Sequence, residues 1–215
     1  MFTGFLGLTR QPFTAEVPAD ALFGSASLEA ALARLRFVLD QHAIGLLHGE
    51  PGSGKSATLR ALVAGCDPAR HKFIYLTSPR SPGALLQTLC HALGLEPAWF
   101  AAELQRQVKD ALARLDTHGA TPILLCDEAQ LAPVAVIEEL RLLTNTAMDV
   151  RCPAEIILAG HQSLQRRLDL ESLAPLAQRI AVARALPALS AAQTGASSST
   201  NSSGPAPAGP CSPGR

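Results

Sequence analysis

The chain has 215 residues, of which 47% are hydrophobic, so it can bury the core of one α/β domain and little more. Its 18 basic and 18 acidic residues balance, so the overall charge gives no argument for nucleic-acid binding, although a local basic patch stays open. No run approaches about 18 consecutive apolar residues, and the first residues lack a signal-peptide pattern. We therefore expect no membrane segment in this chain and a cytoplasmic protein.

Predicted strands and helices alternate along the chain. After a leader segment, residues 1–24, apolar residues at helical spacing predict a helix over Leu28–Leu39. The elements that follow, in order, are strand Ala43–His48, a helix ending near Ala64, strand Phe73–Leu76, helices Pro82–Leu93 and Trp99–Leu115, strand Ile123–Cys126, helix Pro133–Thr146, strand Glu155–Ala159, helix Ser163–Leu168 and strand Ile180–Ala183. This alternation predicts βαβ units and, over residues 25–186, an α/β domain with a parallel sheet covered on both faces.

The composition changes near Leu189. Beyond it the chain is rich in Ser, Ala, Gly and Pro, and Arg215 is its one charged residue. Such a segment has almost nothing apolar to bury, so we expect residues 187–215 to form a disordered tail.

A glycine-rich motif lies between the first predicted strand and the helix after it. The segment Gly49-Glu50-Pro51-Gly52-Ser53-Gly54-Lys55-Ser56 matches G-x-x-x-x-G-K-[ST] in full, and Ala57 follows it. The glycines let consecutive backbone N–H groups turn toward a phosphate, and the helix presents its positive end to the same group. We therefore predict that Gly49–Ala57 binds ATP, that Lys55 acts on the β- and γ-phosphates, and that Ser56 ligates Mg²⁺.

An acidic pair follows the third predicted strand. Ile123-Leu-Leu-Cys126 leads directly into Asp127 and Glu128. The carboxyl end of a parallel strand lies at the edge of the sheet where ligands bind. The pattern predicts that Asp127 holds Mg²⁺ and that Glu128 orients or deprotonates the attacking water as a general base.

Together with the segments around them, these motifs resemble a known family. Gln11-Pro-Phe13, Gly45-Leu-Leu-His-Gly-Glu-Pro-Gly-Ser-Gly-Lys-Ser56, Leu125-Cys-Asp-Glu-Ala-Gln-Leu131 and Gln178-Arg-Ile180 are similar to the AAA+ ATPases typified by general secretion pathway protein A. Helper ATPases encoded beside transposases belong to the same wider group. The resemblance implies a P-loop NTPase fold, a three-layer αβα sandwich with a parallel five-stranded sheet, which is the AAA+ large subdomain.

The resemblance also implies two further catalytic positions. A polar side chain after the fourth strand contacts the γ-phosphate or the lytic water in AAA+ proteins, so His161 or, preferably, Gln162 takes this role unless the segment is a surface loop. An arginine near the fifth strand often reaches the γ-phosphate of a neighbouring subunit, which gives Arg179 this role unless it is a solvated or core-capping arginine. The family carries a helical lid after the sheet, and we expect it to be largely missing from this chain.

The leading functional hypothesis is an ATP-binding and ATP-hydrolysing AAA+ domain that couples its nucleotide state to assembly with partners. It would form an ATP-dependent homo-oligomer and act as a helper of DNA transposition, with DNA and a transposase as partners. One alternative is a secretion-associated assembly ATPase with secretion-pathway partners. Another is a truncated or frameshifted module that binds nucleotide without turnover.

Overall fold

The structure, a computed structural model, describes residues 26–144 and 154–187. The predicted leader, the last residues of the predicted helix Pro133–Thr146 and the predicted tail beyond residue 187 lie outside the described residues. Within the described ranges, no helix has the length and apolar character needed to cross a membrane.

Five parallel strands form a single sheet in the order β2-β3-β4-β1-β5. The strands are β1 (Ile44–Gly49), β2 (His71–Thr77), β3 (Thr121–Asp127), β4 (Glu155–Gly160) and β5 (Ile180–Leu186). The register places Leu46 beside Leu158 and Leu76 beside Cys126. The predicted five-stranded parallel sheet is confirmed.

Helices connect the strands. They are α1 (Ala26–Asp40), α2 (Lys55–Ala64), α3 (Pro82–Ala92), α4 (Ala101–Thr117), α5 (Val134–Leu143), α6 (Ser163–Leu168) and α7 (Ala174–Ala177). Local chemistry sets the start of α3: Ser81 accepts a hydrogen bond from the Ala84 N–H at 3.2 Å, and Pro82 occupies the first turn. Two one-turn 3-10 helices, Ala129–Leu131 and Glu171–Leu173, were not predicted.

The two faces of the sheet carry separate layers of helices. One apolar cluster joins α1 and α2 to the sheet through Leu35, Leu59 and Leu125. The other joins the helices between β2 and β4 to the opposite face through residues such as Leu89 and Leu124. The result is the three-layer αβα sandwich expected from the sequence.

The outer strands differ from the prediction of strands buried on both faces. All residues of β1 and β4 are buried, whereas exposed and less exposed residues alternate along β2 and β5. The sheet order explains the difference, because β2 and β5 are the two edge strands. The centre of the sheet, formed by β3, β4 and β1, therefore brings the carboxyl ends of three buried strands together at one edge.

Candidate functional site

The glycine-rich loop follows the end of β1 and leads into α2. Gly52 and Gly54 have φ values of 78° and 92°, in the left-handed region where a residue with a Cβ is strained. Gly54 is the residue immediately before α2 and has no side chain to cap the helix. Since the first N–H groups of a helix have no partner within it, the start of α2 offers backbone donors to a phosphate group.

Lys55, the first residue of α2, is buried and its ammonium group lies inside the loop. Its Nζ donates to the Gly49 and Glu50 carbonyl oxygens, both at 3.0 Å. These two bonds hold the positive charge against the start of the loop. The role of Lys55 toward phosphate oxygens stays a prediction.

Ser56, from the glycine-rich motif, contacts Asp127, from the acidic pair after β3. The Ser56 hydroxyl donates to Asp127 Oδ2 at 2.9 Å, although the residues are 71 positions apart. Asp127 is buried at the end of β3, and its Oδ1 accepts a hydrogen bond from the Glu128 N–H at 2.9 Å. A hydroxyl and a carboxylate are the hard oxygen ligands that Mg²⁺ prefers.

Tyr75 on β2 also contacts the Asp127 carboxylate, and sequence reasoning missed it. Its hydroxyl donates to Asp127 Oδ2 at 2.8 Å. Partial burial and this neighbouring carboxylate raise the pKa of Tyr75 to about 12, so the phenol stays protonated and remains a donor. The sequence places Tyr75 in a predicted strand, and the residues next to it in sequence do not indicate a polar partner.

Glu128 is exposed and adopts a left-handed backbone conformation, with φ 52° and ψ 36°. Such a conformation is uncommon for a residue other than glycine and is found at functional sites. Gln130, two residues further, donates from Nε2 to Glu128 Oε2 at 2.6 Å. The carboxylate is therefore held by a side chain to which the sequence had assigned no function.

The loop after β4 contacts the glycine-rich loop through His161. The Ser163 N–H donates to His161 Nδ1 at 3.2 Å, so in the neutral ring the proton lies on Nε2. His161 Nε2 is then the donor to Glu50 Oε2, also at 3.2 Å. Gln162, the preferred residue of the pair, is exposed, and its contact with a nucleotide stays a prediction.

Arg179 immediately precedes β5. Its Nη1 donates to Thr144 Oγ1, at the end of α5, at 3.3 Å. This contact lies near the amino end of β5 and joins the segment before β5 to the end of α5 in the same chain. Whether Arg179 also reaches a neighbouring subunit stays a prediction.

The residues at this edge of the sheet fit ATP with Mg²⁺. Besides the donors of the loop, the buried Ser53 Oγ has no hydrogen-bond partner within the described part of the chain. At the start of α2 the buried Lys55 is followed by Ser56, whose hydroxyl contacts the Asp127 carboxylate, and the exposed Glu128 comes directly after Asp127. Fold and site together define a P-loop NTPase.

Comparison with known proteins gives the family. A family model described as "AAA domain" matches residues 38–168, which is more than half of the chain. The chain therefore belongs to the AAA domain family, as the resemblance of its motifs had indicated.

One curated relative is general secretion pathway protein A from Aeromonas hydrophila, which is 34% identical over 185 residues. The match covers 84% of this chain but only 34% of that protein, so the chain spans about a third of its relative's length.

Solved structures show the same fold at low sequence identity. The Aeropyrum pernix ORC1 protein in complex with DNA has a TM-score of 0.64 at 18% identity, covering 84% of this chain and 50% of that one. The Aeropyrum pernix ORC2 protein in ADPNP–ADP complexes has a TM-score of 0.62 at 14% identity, covering 81% and 50%. These likenesses support the three-layer fold.

Proposed function

We propose that the chain binds Mg·ATP at Gly49–Ala57 and hydrolyses it. The observation that carries the proposal is the 2.9 Å contact between Ser56 and Asp127, which joins the glycine-rich loop to the acidic pair. Membership of the AAA domain family supports nucleotide binding.

The residues of the site divide the chemistry among them. The loop N–H groups and the Lys55 ammonium hold the phosphates and stabilise the charge that develops on the γ-phosphoryl oxygens. Ser56 and Asp127 would hold Mg²⁺, which bridges and neutralises phosphate oxygens when it is bound. Glu128 orients the attacking water and accepts its proton. Gln162 and Arg179 remain proposed catalytic residues.

Two measurements on the purified chain, Mg·ATP binding and phosphate release, test the proposal when the wild type is compared with Lys55→Ala. We expect the substitution to weaken Mg·ATP binding by at least about tenfold, or about 1.4 kcal/mol, and to abolish turnover. Lys72→Ala is the matched control, because Lys72 is exposed near the start of β2, at the opposite edge of the sheet. Equal loss in both variants would contradict the assignment of Lys55.

Binding without any phosphate release by the wild type would favour the alternative of a nucleotide-binding module. The same outcome would count against Glu128 as a working general base in this chain.

We further propose that the nucleotide state controls assembly of an oligomer with its partners. This proposal has two versions, which differ in the biological process. A role as a helper of DNA transposition, with a transposase, follows from the sequence resemblance alone, and no comparison points to transposition specifically. The similarity to general secretion pathway protein A supports a secretion-associated role, and the likeness to an ORC1 protein solved with DNA concerns the fold.

Sedimentation velocity with ATP, with ADP and without nucleotide tests assembly, and duplex DNA added at low and high salt tests the DNA partner. ATP-dependent binding to DNA that falls steeply with salt would favour the transposition process. Assembly that requires ATP and ignores DNA would favour the secretion-associated process. A monomer under every condition would contradict the proposal of assembly.

A further inference from the structure

Three polar groups of Gln130 make hydrogen bonds: the side-chain nitrogen, the side-chain oxygen and the backbone carbonyl. Its Nε2 donates to Glu128 Oε2 at 2.6 Å, and its Oε1 accepts from the His161 N–H at 2.9 Å. Its backbone carbonyl accepts from Arg167 on α6, and Arg167 also donates to the Ala132 carbonyl at 2.9 Å. The amide therefore has a fixed orientation, with its nitrogen toward Glu128 and its oxygen toward the loop after β4.

These bonds continue to the phosphate-binding loop. His161, whose N–H is bound by Gln130, contacts Glu50 through its ring at 3.2 Å. A chain of polar contacts thus runs from Glu128 through Gln130 and His161 to Glu50. It connects the ends of β3 and β4 with the loop after β1.

Close packing at Gly160 keeps the Gln130 side chain in this place. A Cβ added at Gly160 would collide with Gln130 Oε1, and it would also lie 3.1 Å from Leu164 Cδ2. The absence of a side chain at the last residue of β4 is what allows the amide oxygen to reach the His161 N–H. The contact between Gln130 Oε1 and the His161 N–H can therefore be disturbed in two ways, by removing the Gln130 side chain or by adding a Cβ at Gly160.

We propose that Gln130 is a positioning residue, which holds the Glu128 carboxylate and couples its orientation to the loop after β4. The inference rests on the proposed hydrolysis of ATP by Glu128. Gln130 does not itself need to touch the nucleotide. Because a general base contributes to rate only when it is oriented toward its water, release of Glu128 lowers kcat more than it weakens ATP binding.

The first test measures kcat, KM and the dissociation constant of Mg·ATP for Gln130→Ala and for Gly160→Ala. We expect each substitution to lower kcat by about tenfold or more while the dissociation constant changes by less than about threefold. The matched control is Gln105→Ala, which removes a 2.6 Å Gln–Glu hydrogen bond to Glu139, between α4 and α5. We expect this control to retain the wild-type kcat.

A second test asks whether Gln130 acts through Glu128. In a Glu128→Asp background the carboxylate is one methylene shorter and is withdrawn from the Gln130 amide. We expect Gln130→Ala to lower kcat by less than about twofold there, because interacting residues are non-additive. A full tenfold loss in that background, or a loss in the wild-type background that appears only in KM, would overturn the proposal.

Nuclear magnetic resonance gives a readout that does not depend on turnover. The side-chain amide signal of Gln130, assigned by its loss in Gln130→Ala, should shift in Glu128→Ala and in Gly160→Ala but not in Gln105→Ala. If the wild type releases no phosphate, the proposed hydrolysis fails, and this signal still decides whether Gln130 holds Glu128. A signal that is unchanged in Glu128→Ala would overturn the positioning role.

Discussion

The Ser56 hydroxyl and the Asp127 carboxylate lie 2.9 Å apart at the edge of the sheet, one at the start of α2 and the other at the end of β3. Tyr75 donates to the same Asp127 oxygen at 2.8 Å, so two hydroxyl groups fix the carboxylate before any metal contact. Of these three side chains, Ser56 and Asp127 are the proposed Mg²⁺ ligands. Tyr75 instead orients Asp127.

Ser56→Ala should therefore weaken nucleotide binding only when Mg²⁺ is present. Loss of one oxygen ligand should raise the dissociation constant of Mg·ATP by about tenfold, while binding of ATP in the presence of a chelator stays within about twofold. Calorimetric titration with and without Mg²⁺ measures both values. Thr88→Ala is the control, since it removes an exposed hydroxyl on α3 that bonds to the Ala84 carbonyl. A metal-independent loss in Ser56→Ala would argue against the assignment.

Gly49→Ala should destabilise the fold, because a Cβ there would lie 2.5 Å from the Leu186 carbonyl oxygen and 2.7 Å from Ser53 Oγ. The first contact is with the backbone of β5, which cannot move without disturbing the sheet. We expect a loss of about 1–3 kcal/mol in the free energy of unfolding.

Urea denaturation measures the Gly49→Ala effect against Gly83→Ala. Gly83 lies in α3 and has no atom within 4 Å of an added Cβ, so its substitution should leave stability unchanged or raise it by up to about 1 kcal/mol. Equal changes in the free energy of unfolding for the two substitutions would show that the protein accommodates the Cβ near Leu186 without a loss of stability.

Glu155 should make stability depend on pH. Burial at the start of β4, together with the nearby Asp40 and Asp116 carboxylates, raises its pKa from 4.5 to about 8. Its carboxyl group lies 3.0 Å from His42 Nδ1, to which the protonated form can donate. Between pH 4.5 and 8 the folded chain keeps a proton that the unfolded chain has lost, so stability is greatest below this range and falls as the pH rises through it.

Thermal or urea unfolding at several pH values tests this effect of Glu155. We expect the free energy of unfolding to fall between about pH 5 and pH 8 by a few kcal/mol at most, since about 1.4 kcal/mol corresponds to one pKa unit. Glu155→Gln, which has the same shape and no proton to lose, should remove most of this slope. A variant with the wild-type slope would assign the pH dependence to groups other than Glu155.

The parts of the fold that could be predicted from the sequence are those with a local cause. Helical spacing and continuous apolar runs place α2 and β3 within a few residues of their observed bounds, because periodicity reflects burial directly. β5 extends to Leu186, beyond its predicted end at Ala183. The prediction ended there because Arg184 interrupts the apolar run. An edge strand accommodates such a residue, since exposed and less exposed side chains alternate along it.

The candidate site was predictable where a motif carries the chemistry and not where contacts join distant segments. Lys55, Ser56 and Asp127 follow from residue type and spacing. Tyr75 reaches Asp127 only because β2 pairs with β3 in a register that puts Thr77 beside Asp127. Gln130 reaches Glu128 and His161 only because residues 129–131 turn as a 3-10 helix, which the pattern of this segment did not indicate.

If Arg179 completes the site of a neighbouring subunit, its substitution should be rescued by mixing. Arg179→Ala alone should lower the hydrolysis rate by about 100-fold or more, since an arginine finger contributes at least that much. Mixing it with Lys55→Ala forms interfaces in which an intact nucleotide site faces an intact Arg179, so part of the activity should return. Thr144→Val, which removes the hydrogen bond between Arg179 and the Thr144 hydroxyl, is the control and should keep its activity.

No recovery at any mixing ratio, together with a rate per chain that does not depend on concentration, would leave Arg179 a structural residue at the start of β5.

We propose that the Glu128 carboxylate, after β3, performs catalysis at a site whose other residues bind the nucleotide. Glu128→Gln tests it most directly, because the side chain is exposed and keeps its size. Mg·ATP binding and phosphate release are measured on the same preparation. We expect binding within about threefold of wild type and phosphate release reduced by about 10²–10⁴-fold. Wild-type turnover in Glu128→Gln, or loss of binding without a selective loss of turnover, would contradict the catalytic role of Glu128.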